Sequence, residues 1–347
     1  MAADKDFCLS SYMAFRYIWN DYINFFPGFK HQNITPPAPD AWGAVKTSQD
    51  IYNRIKEQID SLYEQYDNIG ILLSGGMDSA NLAAFLKPGS HAYTFTSDTD
   101  VFNKDAERAS EYCKKFSLIH HLVKISFDDY KKYAPIVMSQ KCAPVHSIEP
   151  QIYKAAINAK KDGVQCILVG ESADLIFGGM DGLLAKDWTF DEFVKRYTFL
   201  DPQLVLTNPV DMSSLYERYR QGETIDFMQF MDQVFSIESS SSYLNAFQTA
   251  KLPYYDPYAK LHMVDELNLS RVRSGEPKYL VRELYSIIYP EREIPTKIPM
   301  PRPVDTVFSD WEGPNRPEFR SDIPMQSLTG NQKWQLWCAE LFLNLYD

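Results

Sequence analysis

Two short apolar runs in this chain, 69–74 and 164–170, each break into a turn that carries glycine and acid, and each resumes as a helical pattern. A strand that runs straight into a tight turn and a helix is the repeating unit of a parallel sheet, because parallel neighbours need a crossover connection. The rhythm continues between them. Stretches 91–96 and 119–125 read as further strands, and 80–86, 103–116 and 150–161 as helices. The expected class is α/β, with a parallel twisted sheet covered on both faces. From about residue 186 the strand signal fades, and helical periodicity takes over in 188–198, 215–235, 278–288 and 332–345. The expected division is an N-terminal extension and linker over 1–45, an α/β region over 46–185 and a mostly helical region over 186–347 that closes over it. The linker reading rests on three prolines within 34–42. A helix opens after it near Thr47 or Ser48, with Ile51, Ile55, Ile59, Leu62 and Tyr66 on one face. Proline-rich residues 290–320 read as a structured loop over the site.

The first turn, Ser74-Gly75-Gly76-Met77-Asp78-Ser79, combines three features at one strand end. Glycines let backbone approach an anion closely. The start of a helix presents free N–H groups and a partial positive charge. Serine hydroxyls add donors. Asp78 would repel a phosphate unless a divalent cation lay between them. Together these describe a pyrophosphate cradle with a metal. The turn is neither a GxxxxGKS/T loop nor a GxGxxG dinucleotide turn. Its SGGxDS string is similar to the PP-loop of enzymes that cleave ATP to AMP and pyrophosphate.

The second turn, Gly170-Glu171-Ser172-Ala173-Asp174-Leu175-Ile176-Phe177-Gly178-Gly179, would emerge at the same end of the sheet. Here the chain resembles the synthetase domain of asparagine synthetase, with its GEGxDExFGG segment, and the related β-lactam synthetase. The resemblance continues in order along the chain. It starts in the linker-like stretch 9–17 and passes through both turns and Tyr254-Tyr255-Asp256-Pro257. It then takes in Lys278-Tyr279-Leu280-Val281-Arg282-Glu283 and the loop Pro295-Thr296-Lys297-Ile298-Pro299-Met300. It implies that Ser74, Gly75, Gly76, Asp78 and Ser79 bind the phosphates of ATP. It implies that Asp78 and Asp174 ligate Mg²⁺ and that Glu171 takes a proton from the attacking nitrogen. It gives Lys297 the task of neutralising charge as pyrophosphate leaves, with Lys278 as a rival for that role. Leu72 and the strand end at Thr94–Thr96 fall where adenosine would sit, and Gly170 opens the second turn. The implied activity is adenylation of a carboxylate and transfer of the acyl group to ammonia or an amine. Ring closure to a β-lactam-type amide and a non-catalytic nucleotide-binding subunit are the alternatives.

Three departures bear on that implication. Cys8 lies too near the linker-like stretch for a glutaminase domain to stand behind it, so nitrogen would come from free ammonia, an amine or a separate glutaminase. The second turn has Ser172 and Leu175 where the family has glycine and glutamate. Lys141-Cys142-Ala143-Pro144 replaces the family's Asp-Glu-Pro.

The net charge of −11 repels phosphate backbones and anionic lipid, so neither nucleic acid nor membrane is an expected partner; a separate glutaminase or a homo-oligomer stays open as one. Five scattered cysteines without a CxxC pair suggest reduced thiols and a cytoplasmic protein. His120 and His121 are adjacent, so on a strand they point to opposite faces and do not share a metal. Asp105, Glu107 and Glu111 read as a solvated helix face, the serines 239–242 as a loop or helix cap, and the aromatic stretch 12–29 as core.

Overall fold

A computed structural model describes residues 2–35, 43–97, 100–296, 300 and 302–347. Its centre is a sheet of five strands: β1 (Ile69–Leu72), β2 (His91–Thr96), β3 (Ile119–Lys124), β4 (Cys166–Leu168) and β5 (Tyr254–Tyr255). They lie in the order β5-β4-β1-β2-β3, every neighbour parallel. The expected class is the observed one. All four residues of β1 are buried, with Ile71 paired to Ala92 on one side and Leu168 on the other. A central strand of this kind reads as a continuous apolar run because both its faces are covered. The strand signal does not end at 186, however. Tyr254 and Tyr255 pair with Ile167 and Leu168 and extend the sheet by one strand, too short to announce itself as a period.

Among the described residues, ten of the helices position the sheet and the turns at its end. They are α1 (Lys5–Phe15), α2 (Ser48–Leu62), α3 (Met77–Ala83), α4 (Asp100–Phe116), α5 (Phe127–Lys141), α6 (Glu149–Lys161), α7 (Ser172–Ile176), α8 (Ser236–Ala250), α9 (Tyr279–Ile288) and α10 (Gly330–Tyr346). Thr47 caps α2 through a reciprocal bond with Asp50, and Ile51, Ile55, Ile59 and Leu62 form its buried stripe. The two faces of the sheet feed two apolar clusters. Ile69, Ile71 and Leu73 pack with α2, α3 and α9, whereas Leu72, Tyr93 and Ile167 pack with α1, α5, α6, α8 and α10.

Three segments differ from the sequence reading. Residues 1–33 contain α1, whose residues Phe7 to Phe15 are all buried. Burial on every side leaves no polar face and therefore no period to read. The helical pattern over 215–235 is broken. It contains a short helix Ser213–Glu217, a hairpin of Arg220–Gln221 with Thr224–Ile225 turning at Gly222 (φ +63°), and a π-helical turn Met231–Phe235. The serines 239–242 are neither loop nor cap. They lie inside α8, with Ser239, Ser241 and Ser242 buried. Among the described residues no helix is long and apolar enough to cross a membrane.

Candidate active site

The chain lays down β1, β2 and β3 in one direction and then returns to place β4 on the other side of β1. At such a reversal the connections leave the strand ends on opposite faces and open a crevice. The turns following β1 and β4 both emerge there, and they abut. A Cβ on Gly170 would lie 3.4 Å from the backbone N of Ser79.

The first turn is tied to itself. Ser74 N–H donates to Ser79 Oγ (3.0 Å), the two hydroxyls are 3.0 Å apart, and Gly76 N–H donates to Ser74 Oγ (3.1 Å). Gly75 N–H donates to Asp105 Oδ1 (2.8 Å) on α4. Asp105 is therefore no part of a solvated face. It is 4% exposed, and burial pushes its carboxyl above the usual range although the Gly75 bond and Arg108 oppose this. A Cβ on residue 75 would come within 2.6 Å of Asp105 Oδ1 and 2.8 Å of its carbonyl oxygen, so glycine is required here by the approach of α4. Behind the turn, α3 is pinned to α9. Asn81 Nδ2 donates to Val281 O (3.2 Å), and the Tyr289 hydroxyl donates to Ala80 O (2.6 Å).

Asp78 sits in the first turn of α3 and Asp174 in the first turn of α7. Between them stands Lys278, 3% exposed, with Nζ 2.6 Å from Asp78 Oδ2 and 2.7 Å from Asp174 Oδ1. Burial opposes its charge, but the two carboxylates prevail and hold its pKa above the ordinary lysine value. Lys278 also adopts φ +53° immediately before α9. That region is costly for a side chain with a Cβ, by about 1–2 kcal/mol, so the surrounding packing imposes it.

Glu171 is half-buried beside this group, and its carboxylate accepts from the hydroxyl of Ser239 on α8. Burial pushes its carboxyl up. Asp174 and Glu238 add to the rise, and hydrogen bonds from Ser239 and Tyr243 counter it. Asp256 anchors the second turn from β5, accepting from Ser172 N–H (2.8 Å) and Tyr258 N–H (3.1 Å). Its carboxyl is raised to about 7, again chiefly by burial. The Tyr258 hydroxyl in turn donates to the carbonyl of Asp78 (3.1 Å), linking the two turns through backbone.

Of the other candidate residues, Leu72 is 8% exposed and packs beneath the turn with Tyr93 and Phe95. Thr96 ends β2, one strand away. Neighbouring Thr94 donates to Leu73 O (2.7 Å) and so accepts from His120 Nε2 (2.8 Å). Lys297 lies outside the described residues. Its neighbour Thr296 accepts at O from Arg108 Nη1 (3.1 Å), one turn of α4 beyond Asp105. Lys141 is buried and ion-paired to Glu149 (2.6 Å), while Glu238 meets Arg16 at 3.2 Å and His146 at 3.7 Å. Sequence reasoning read Asp105 as part of a solvated face and Ser239 as part of a loop or helix cap, and gave Asp256 no role of its own. Only Asp256 left a signal, as the acid of the Tyr-Tyr-Asp-Pro string.

Two hard oxygen donors facing each other across a crevice, with a cation already held between them, suit Mg²⁺ and a polyphosphate. The donor set therefore fits the nucleotide and metal implied by the resemblance.

The model of the asparagine synthase family matches residues 51–282, a span that takes in both turns, Asp256 and Lys278. Among curated proteins, the chain is 28% identical over 145 residues to the glutamine-hydrolysing asparagine synthetase 2 of Bacillus subtilis, a stretch covering 38% of this chain and 19% of that protein. Among solved structures, the U34-tRNA thiolase NcsA from Methanococcus maripaludis with its 4Fe-4S cluster aligns over 72% of this chain and 82% of its own. The TM-score of that alignment is 0.29 at 11% identity, too low to bear on fold or function.

Proposed function

Starting from a chain that belongs to the asparagine synthase family, we propose that it is an ATP-dependent, AMP-forming amide ligase. The observation that carries this is the buried Lys278 ammonium held between Asp78 and Asp174 where the turns after β1 and β4 meet. In this reading a substrate carboxylate oxygen attacks the α-phosphorus of ATP, and pyrophosphate departs. A nitrogen lone pair then attacks the acyl carbon, AMP leaves and an amide remains.

Asp78 and Asp174 would hold Mg²⁺, which when bound neutralises the phosphate charge. The Ser74 and Ser79 hydroxyls and the backbone at Gly75 and Gly76 would face the phosphates, with Gly75 admitting α4 and Gly170 keeping the two turns close. Lys278 supplies a fixed positive charge at the same place, and Lys297 a second by resemblance. Leu72 and Thr96 would border the adenosine. Glu171 takes the proton from the attacking nitrogen. An ammonium ion has no lone pair to offer, and a carboxylate whose pKa is raised by burial is the better base. The nitrogen donor is ammonia or an amine, delivered freely or by a separate glutaminase, and the reading places the work in the cytoplasm where ATP is supplied.

The test is product analysis with ATP, Mg²⁺, ammonium and a panel of carboxylic acids that includes aspartate. AMP and pyrophosphate released with one acid, together with a new amide by mass spectrometry, are expected. ADP and phosphate in their place would overturn the reading. Glu171→Gln should retain acid-dependent pyrophosphate exchange while amide formation falls by about 10²–10⁴-fold, because the base acts only after activation.

A further inference from the structure

A second group of chemically capable side chains lies at the other end of the sheet. His91 opens β2, and His121 stands opposite Tyr93 on β3. Asp162 follows α6, which runs back against the strands and so ends where they begin. The His91 and His121 rings stack at 5.0 Å and 8° with Nδ1 of the first 2.8 Å from Nε2 of the second. His121 Nδ1 is 3.8 Å from Asp162 Oδ2, and that same oxygen accepts from the Tyr93 hydroxyl at 2.8 Å. One nitrogen from each ring and a carboxylate oxygen lie within 4.8 Å of one another. His121 and Asp162 also line a small cleft with Tyr93, Asn158 and Lys161, open to solvent.

We propose that His91, His121 and Asp162 form a binding site for a divalent transition-metal ion of the Zn²⁺ type, separate from the crevice that holds Asp78 and Asp174. Two imidazoles and one carboxylate are borderline donors that favour zinc over magnesium. Three protein ligands leave a fourth position for water from the open cleft. The Tyr93 hydroxyl orients the carboxylate, as partners of metal ligands commonly do. Ligand nitrogens on a tetrahedral zinc ion stand about 3.3 Å apart, so the 2.8 Å contact needs to widen by about 0.5 Å. His121 is on the edge strand β3, His91 is the first residue of β2, and both are only half-buried, which permits that movement. The adjacent pair His120–His121 does not chelate. His120 points to the other face, onto Thr94, and the partner of His121 comes from the next strand. The bound ion would tie β2, β3 and α6 together.

The test is calorimetric titration of the full chain with Zn²⁺ in excess Mg²⁺, alongside absorption spectra with Co²⁺. One saturable site per chain is expected, with cobalt bands of nitrogen and oxygen ligation and a rise in melting temperature on zinc binding. His121→Gln and Asp162→Asn should each weaken binding by more than about tenfold, and Tyr93→Phe by about 10–100-fold. Asp162 is exposed, so its asparagine variant should fold even where a histidine variant does not. Absence of saturable binding by the wild type would overturn the proposal, leaving a hydrogen-bonded histidine pair. So would equal affinity in Asp162→Asn, or cobalt–thiolate bands that mark a cysteine site.

Discussion

The turns after β1 and β4 start alike and are held differently. Each leaves a buried strand, enters a short helix and places an aspartate in its first turn. At Ser74 to Gly76 the first is braced by its own serines and by Asp105, thirty residues on, while Tyr258 and Lys278 reach Asp78 from far along the chain. The second is braced from far along the chain. Asp256 lies 84 residues from Ser172, and Ser239 lies 68 from Glu171. Lys278 joins them across 200 residues from Asp78. The glycine and serine core of the first turn needs only its own hydroxyls and the next helix of the chain. A turn held at long range acquires its shape, and the ionisation of its acids, only when the rest of the chain closes.

That contrast is open to test. Lys278→Ala should have the largest effect. It removes the ammonium that the two carboxylates share, at a cost of about 3–5 kcal/mol in urea unfolding. Mg²⁺ should recover more stability in that variant than in the wild type, which would show that the metal and the lysine share one place. Gly75→Ala comes next, at about 1–3 kcal/mol, because its methyl group meets backbone and carboxylate of α4. Gly76→Ala is its control. There the methyl meets only Ser74 Oγ at 3.2 Å, so the change in unfolding free energy should stay within about 0.5 kcal/mol. Equal losses from the two glycines would mean that close approach to α4 is not what the first turn requires.

In the second turn, Asp256 binds its proton more tightly in the folded chain than an ordinary carboxyl does. The folded state therefore holds more protons between about pH 4 and 7, and its stability should fall as pH rises through that window. Asp256→Asn should flatten that slope in denaturation curves taken across it, while the wild type keeps it. Ser239→Ala should have the smallest effect, about 1 kcal/mol, by removing one hydrogen bond. Because that bond lowers the pKa of Glu171, its loss should move the acidic limb of the amide-forming rate to higher pH. An unmoved limb would separate Glu171 from the proton transfer.

Legibility in the sequence follows the same division. The class, the buried stripe of α2 with its Thr47 cap, and the strand-to-turn junctions at Ser74 and Gly170 depend on neighbours within a few residues, and local periodicity and capping record such relations. The broken helix over 215–235 and the serine-bearing α8 depend instead on what packs against them. Asp105 shows the point at one residue. Its place among charged neighbours on an amphipathic helix gives a solvated reading, and only the approach of Gly75 makes it a buried acceptor.

The sequence by itself determined the parallel sheet, the two glycine-bearing turns and their common end of that sheet, because strand direction and turn chemistry are local. Only the tertiary structure decided that Lys278 stands between Asp78 and Asp174, that Asp256 and Ser239 set the second turn, and that His121 meets His91 rather than His120. Those relations join residues 30 to 200 positions apart, and no local period encodes a contact that exists only after the chain has closed on itself.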